Sequence, residues 1–342
     1  MCSVRLFIAL LALAAAPTAP ADAQDAAPPR GPVRQRLDSV RRLAAHHRRA
    51  AAFELGAAAA AAHPSAPAAH AALAIGAMAA ERFDVAIGAA DRMLALAPDV
   101  SEWQLVYGQA YLSHARAEPS LGAIGRVKRG RAAVERAIEL DGDNLDARYT
   151  LMQFLVQAPG IAGGSLRKAE RQAREIERRD RARGLRARLE IAATTRDADE
   201  VERILLDALP VIARARDGAP ELLGALFVAA GDLRDAGRRE RLTARLYAAR
   251  QRDPLAAYHR ARLWIIEGDR LAEAERLLLG YLAAPERRGG AATRAGAHWR
   301  LARLYERLDR DDYAKEQYRI AASLDSRLRP GRHIPARLEA QL

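Results

Sequence analysis

The feature that most limits what this chain can become is a pattern that returns along it. AAHAALAIGAMAAERFDVAIGAADRMLALAPDV ends at residue 100, and SEWQLVYGQAYLSHA joined to RAAVERAIELDGDN ends at 144. LAAYHRARLWIIEGDRLAEAERLLLGYLAAP follows from 255 and AGAHWRLARLYERLDRDDYAKEQYRIAASLDS from 295. Each holds two stretches with apolar residues at i, i+3, i+4 and i+7, the spacing of one helix face. A short polar turn joins the two, and a small residue opens the packed face of the second. Several units close on a break: Ala97-Pro98, Asp141-Gly142, Asp253-Pro254 and Asp325-Ser326. Alanine and leucine dominate and β-branched residues are sparse, which favours helix throughout. One such hairpin cannot cover its own apolar face, so the units must stack.

These units resemble the tetratricopeptide repeat, a helix–turn–helix of about 34 residues. Trp103, Gly108 and Tyr111 match its first helix, and Ala137 to Asp141 the end of its second. Tyr258, Ala274 and Leu278 match in the unit from 255; Leu301, Ala302, Tyr305, Ala314, Tyr318 and Ala321 match in the unit from 295. The match is strongest at both ends of the span 67–328 and weakest over 182–240. Small residues let helices approach, and large ones fill the space around them. The resemblance implies an all-α fold, a TPR-like α-α solenoid wound as a right-handed superhelix. Residues 34–66 read as a degenerate N-terminal repeat or cap, 67–328 as the repeat array, and 329–342 as a polar tail.

The start of the chain has a different character. MCSVRLFIALLALAAAPTAPADAQ has one early arginine, an apolar run from Leu6 to Ala16, and Ala21-Asp22-Ala23 before Gln24. That is the layout of a secretory signal over 1–23, cleaved after Ala23, followed by a flexible proline-rich lead over 24–33. The apolar run is about half the roughly 20 residues of a spanning helix, so no stable membrane span is expected. Cys2, the only cysteine, precedes the run, and cleavage leaves no thiol. The expected location is periplasmic or secreted. Net charge is +12, carried almost wholly by arginine; the lysines are Lys128, Lys168 and Lys315. This charge reads as solvated helix faces, and export argues against a nucleic-acid partner.

The stretch QAPGIAGGSLRKAERQA, 157–173, poses the sharpest chemical question. A phosphate-cradling loop needs G-x-x-x-x-G-K-S/T after a strand. Here the preceding element is helical and Lys168 stands four residues past Gly164, so 158–165 is expected to be a long turn within a repeat. Pro159 ends the first helix, the glycines permit positive φ, and Ser165 caps the second helix. A second long turn is expected over 114–131.

Other chemistry finds little footing. The histidines His46, His47, His63, His70, His114, His259, His298 and His333 form no metal-ligand spacing, and no nucleophile motif is present. Neither a catalytic residue, a metal nor a cofactor is expected. Leu151-Met152-Gln153 with Ala158-Pro159 resembles a segment of lytic transglycosylases, but Thr150 stands where their glycine is. The upstream carboxylates Glu135 and Glu139 lack the following serine. The resemblance to tetratricopeptide repeats places a concave groove on first-helix positions. These are Leu105, Gln109, Tyr149, Gln153, Gln157, Arg186, Glu190, His259, Trp299 and Arg303. Amides, an aromatic and arginines suit an extended peptide. The expected function is a non-enzymatic scaffold that binds a protein or peptide of the bacterial cell envelope. The alternatives are a glycan-cleaving enzyme or accessory factor, or a binder of anionic lipid or glycan.

Overall fold

The computed structural model describes residues 31–45, 48–120, 122–216, 219–285, 293–325 and 328. The signal-like segment, the His46-His47 pair and the tail from 329 lie outside them. The described residues form sixteen α-helices, with no strand among them, and fall into two compact units divided after Arg179. Unit 1 holds α1 (Pro32–Ala45), α2 (Arg49–Ala62), α3 (Pro67–Ala79), α4 (Phe83–Leu96), α5 (Ser101–Ala117), α6 (Ala123–Leu140), α7 (Leu145–Gln157) and α8 (Leu166–Arg179). Unit 2 holds α9 (Arg181–Thr195), α10 (Ala198–Arg214), α11 (Pro220–Gly231), α12 (Ala236–Ala249), α13 (Pro254–Glu267), α14 (Leu271–Ala283), α15 (Arg294–Arg307) and α16 (Asp311–Leu324).

Local chemistry sets where these helices begin. Pro67, Pro220 and Pro254 occupy the first helical position, where a missing N–H costs nothing. Asn144, Asp180, Asp197, Asp235, Asp253 and Thr293 accept a backbone N–H from the first turn of the helix that follows. Asp253, which closes one unit in the sequence, is therefore the cap of the next.

Within each unit the helices pair as antiparallel neighbours. The odd-numbered helices pack side by side, α1 on α3, α3 on α5 and α5 on α7 in unit 1, and α9 on α11, α11 on α13 and α13 on α15 in unit 2. Each even helix packs on its own partner, and within a unit α2, α4, α6, α10, α12 and α14 pack also on the next odd helix. This is the stacking of an all-α, TPR-like solenoid. Residues that carry the repeat pattern are buried: Trp103, Tyr111, Ala274, Leu278, Ala314 and Ala321 all face the core, as do Ala169, Ala173 and Ile176 of α8.

Two expectations about turns come out differently. Over 114–131 the extra residues lengthen helices: α5 runs on through Ala117 and α6 begins at Ala123. The sequence there has no proline or glycine inside the last turn of α5, so nothing halts that helix before Glu118. At 158–165 the chain does turn. A short 3₁₀ turn covers Gly160–Ala162, Gly163 adopts φ of +93°, and Ser165 Oγ accepts the Lys168 N–H at 3.4 Å. Gly164 lies so close to the Ala158 carbonyl that no side chain fits there.

Candidate functional site

The candidate groove residues of unit 1 lie on α5 and α7. Leu105 and Gln153 are buried, while Gln109, Tyr149 and Gln157 are half-buried. Gln109 donates to Thr150 Oγ1 at 3.3 Å and so ties α5 to α7. In unit 2, Arg186 pairs with Glu221 at 2.9 Å, bridging α9 and α11. Glu190 is half-buried on α9 and accepts the Thr194 hydroxyl through its carbonyl. Trp299 is buried edge-on against Tyr318, so its ring serves the α15–α16 hairpin. Arg303 is exposed and pairs with Glu306 at 3.0 Å. The two upstream carboxylates weighed for catalysis sit on α6, Glu135 paired with Arg131 and Glu139 with Arg136.

The most unusual chemistry gathers around the remaining candidate, His259 on α13. Eleven consecutive residues of this helix, Leu255 to Ile265, are buried. A helix covered on every side is normally apolar, yet this one contains His259, Arg260 and Arg262. Arg260 is fully served: its guanidinium donates to Thr243 Oγ1 at 2.6 Å and to Glu240, and lies over the Trp264 ring at 4.7 Å. The hydrogen bond from Arg260 holds the Glu240 carboxyl below its usual range.

His259 and the Nε of Arg262 have no such partners, although burial raises the pKa of the Asp232 carboxyl while the Arg262 charge lowers it. His259 is 2% exposed, stacks on Phe227 of α11 at 5.3 Å, and has no hydrogen-bond partner at either ring nitrogen. Arg262 is 8% exposed, and no acceptor reaches its Nε. Arg300 of α15 is buried beside them. Burial, with the charges of Arg262 and Arg300, pushes the His259 pKa down to about 3, so the imidazole is neutral. Burial raises the Tyr258 phenol, against the pull of the Arg300 and Arg262 guanidinium groups. A buried donor without an acceptor costs about 1–3 kcal/mol. The side-by-side odd helices of unit 2 thus concentrate positive charge and unmet hydrogen bonding on one face.

Reading the sequence found His259 but missed Arg262 and Arg300. A usable signal existed: in PLAAYHRARLWIIE the apolar residues cover every helical direction, so any charge among them must be buried. Among the described residues no group of acidic, histidine or cysteine side chains is arranged to hold a metal ion, and no helix is long and apolar enough to cross a membrane.

No family model matches the chain, and no curated protein matches it either. Among solved structures it is similar to PilF of Pseudomonas aeruginosa at 16% identity and a TM-score of 0.39, over 70% of this chain and 95% of that one. It is also similar to the human IFIT1 dimer solved with m7Gppp-AAAA, at 14% identity and a TM-score of 0.39. That likeness spans 76% of this chain and 59% of the IFIT1 chain.

Proposed function

We propose that the protein is a non-enzymatic helical-repeat scaffold of the bacterial cell envelope that holds a protein or peptide partner against the faces of its odd-numbered helices. One observation carries the reading: both ring nitrogens of His259 and the Nε of Arg262, on α13, are buried without a hydrogen-bond partner. A partner carboxylate supplies acceptors for these unmet donors, beyond the Asp232 carboxyl that already feels the Arg262 charge. Stacked helical repeats suit the task because, within a unit, rigid helices present side chains from successive hairpins side by side. Export follows from the signal-like segment at 1–23 and would bring the chain to the periplasm or beyond the cell.

Peptide arrays of acidic, neutral and basic sequences, probed with the full chain, test the binding reading. Acidic peptides should bind, and Arg262→Met should weaken that binding about tenfold, as loss of a charge-assisted hydrogen bond implies. The helical circular dichroism should stay intact. Equal binding to basic peptides would end the proposal. In unit 1, Tyr149→Ala with Gln153→Ala tests the α7 face by itself and should lower capture of peptides held there. Export is tested separately, by fusing residues 1–23 to a reporter that is active only outside the cytoplasm.

A further inference from the structure

A second concentration of positive charge lies in unit 1, where α6 and α8 meet α7 at residues other than those of the proposed peptide face. Arg131, Glu135 and Ile138 of α6, Leu151 and Leu155 of α7, and Lys168, Arg171 and Gln172 of α8 line a cleft of about 220 Å³. Its apolar wall is Ile138, Leu151 and Leu155; its rim is cationic.

Several cations on the neighbouring surface find carboxylates, though Lys128, Arg129 and Arg167 have no ion pair among the described residues. Arg136 pairs with Asp99 and Glu139, Arg179 with Asp143 and Glu175, and Arg174 with Glu170. At the cleft this matching stops. Glu135 is taken by Arg131, Glu175 by Arg178 and Arg179, and among the described residues no acid pairs with Lys168 or Arg171. Lys168 is nonetheless half-buried, where an unpaired cation is costlier than in open water. The turn at 158–165 completes the arrangement. Gly163, at positive φ, lies directly under the Arg131 guanidinium, and any side chain there would collide with it. The glycine turn of the sequence therefore makes room for a cation to lie across it.

We propose that this cleft binds a phosphate monoester, gripped by Arg131, Lys168 and Arg171, with the rest of the ligand against Ile138, Leu151 and Leu155. Three cations and one carboxylate leave a surplus of two positive charges. A phosphate monoester carries about −1.5 to −2 at neutral pH and matches it, whereas a diester or a lone carboxylate does not. The same headgroup occurs free in solution and on a phosphatidate membrane.

Calorimetric titration of the full chain with glycerol 3-phosphate tests the soluble source, and co-sedimentation with phosphatidate vesicles tests the lipid source. Saturable binding in either arm, weakened about tenfold or more by Lys168→Gln with Arg171→Gln, is expected. Gly163→Val should also weaken it, by displacing Arg131, while Gly160→Ala, which meets open space, should not. As a control, Arg36→Gln with Arg92→Gln removes the same charge from elsewhere in the unit. Equal loss in that control would show only general attraction to a basic protein and overturn the site. So would absence of binding in both arms, or tighter binding of an oligonucleotide's diester phosphates. Binding in the soluble arm alone assigns a free ligand; binding in the vesicle arm alone assigns a membrane headgroup.

Discussion

Between α2 and α3 two glycines let main chains touch. A side chain on Gly56 would come within 2.6 Å of the Ala72 carbonyl, and one on Gly76 would run into the Ala52 carbonyl. The surrounding core is mostly alanine: Ala52, Ala59, Ala69, Ala71, Ala72, Ala74 and Ala77. Between α9 and α12 the helices are kept apart by bulk, with Leu185, Leu189, Ile204, Leu205, Ile212, Leu222, Leu226, Phe227, Leu242 and Leu246 filling the space. The same hairpin stack is reached by close backbone approach in one region and by large side chains in the other. This explains why the repeat pattern is weakest over 182–240. That pattern records small residues where helices cross, and a leucine-filled crossing has no need of them.

Breaking the leucine-filled region should have the largest effect. Leu205→Ala is expected to cost about 2–5 kcal/mol by opening a cavity, read from the urea midpoint at constant slope. In the alanine region the opposite change does the damage. Gly76→Ala adds one methyl where the Ala52 carbonyl stands and should cost about 1–3 kcal/mol, despite the better helix propensity of alanine. A neutral or stabilising result would mean that α2 and α3 can separate, and the contrast between regions would fail.

Acid should act on the leucine-filled side. His259 stays neutral when folded, with a pKa near 3, against about 6.5 unfolded. Between those values the unfolded chain binds the proton and the folded chain does not. Stability is therefore lost as pH falls from about 6.5, by up to about 1.4 kcal/mol per pH unit. His259→Phe keeps a ring to stack on Phe227 and removes the titration, so its urea midpoint should change less between pH 6.5 and 4.5. The smallest effect sharpens the comparison by control: Gly88→Ala on α4 meets nothing within 4 Å and should stabilise by about 0.5–1 kcal/mol.

Much of the architecture was legible before any coordinates. Helix pairs at 67–100, 101–144, 145–180, 255–285 and 295–326 follow from periodicity, and the turn at 158–165 follows from Pro159, its glycines and Ser165. The extension of α5 and α6 was not legible, because the basic and small residues flanking the break carry no apolar period that marks them as helix. The site was legible only in part. His259 stands out by type, but Arg262 and Arg300 look like any two of the chain's many arginines.

The sequence by itself determined the helices, their caps and their obligation to stack, because these depend on residues within a turn or two of each other. Which arginines hydrogen-bond a carboxylate and which keep a buried Nε without an acceptor was decided only by tertiary packing. Arg260 and Arg262 are two residues apart on one helix and point to different neighbours; Glu240 and Thr243 reach the first, and no acceptor reaches the Nε of the second.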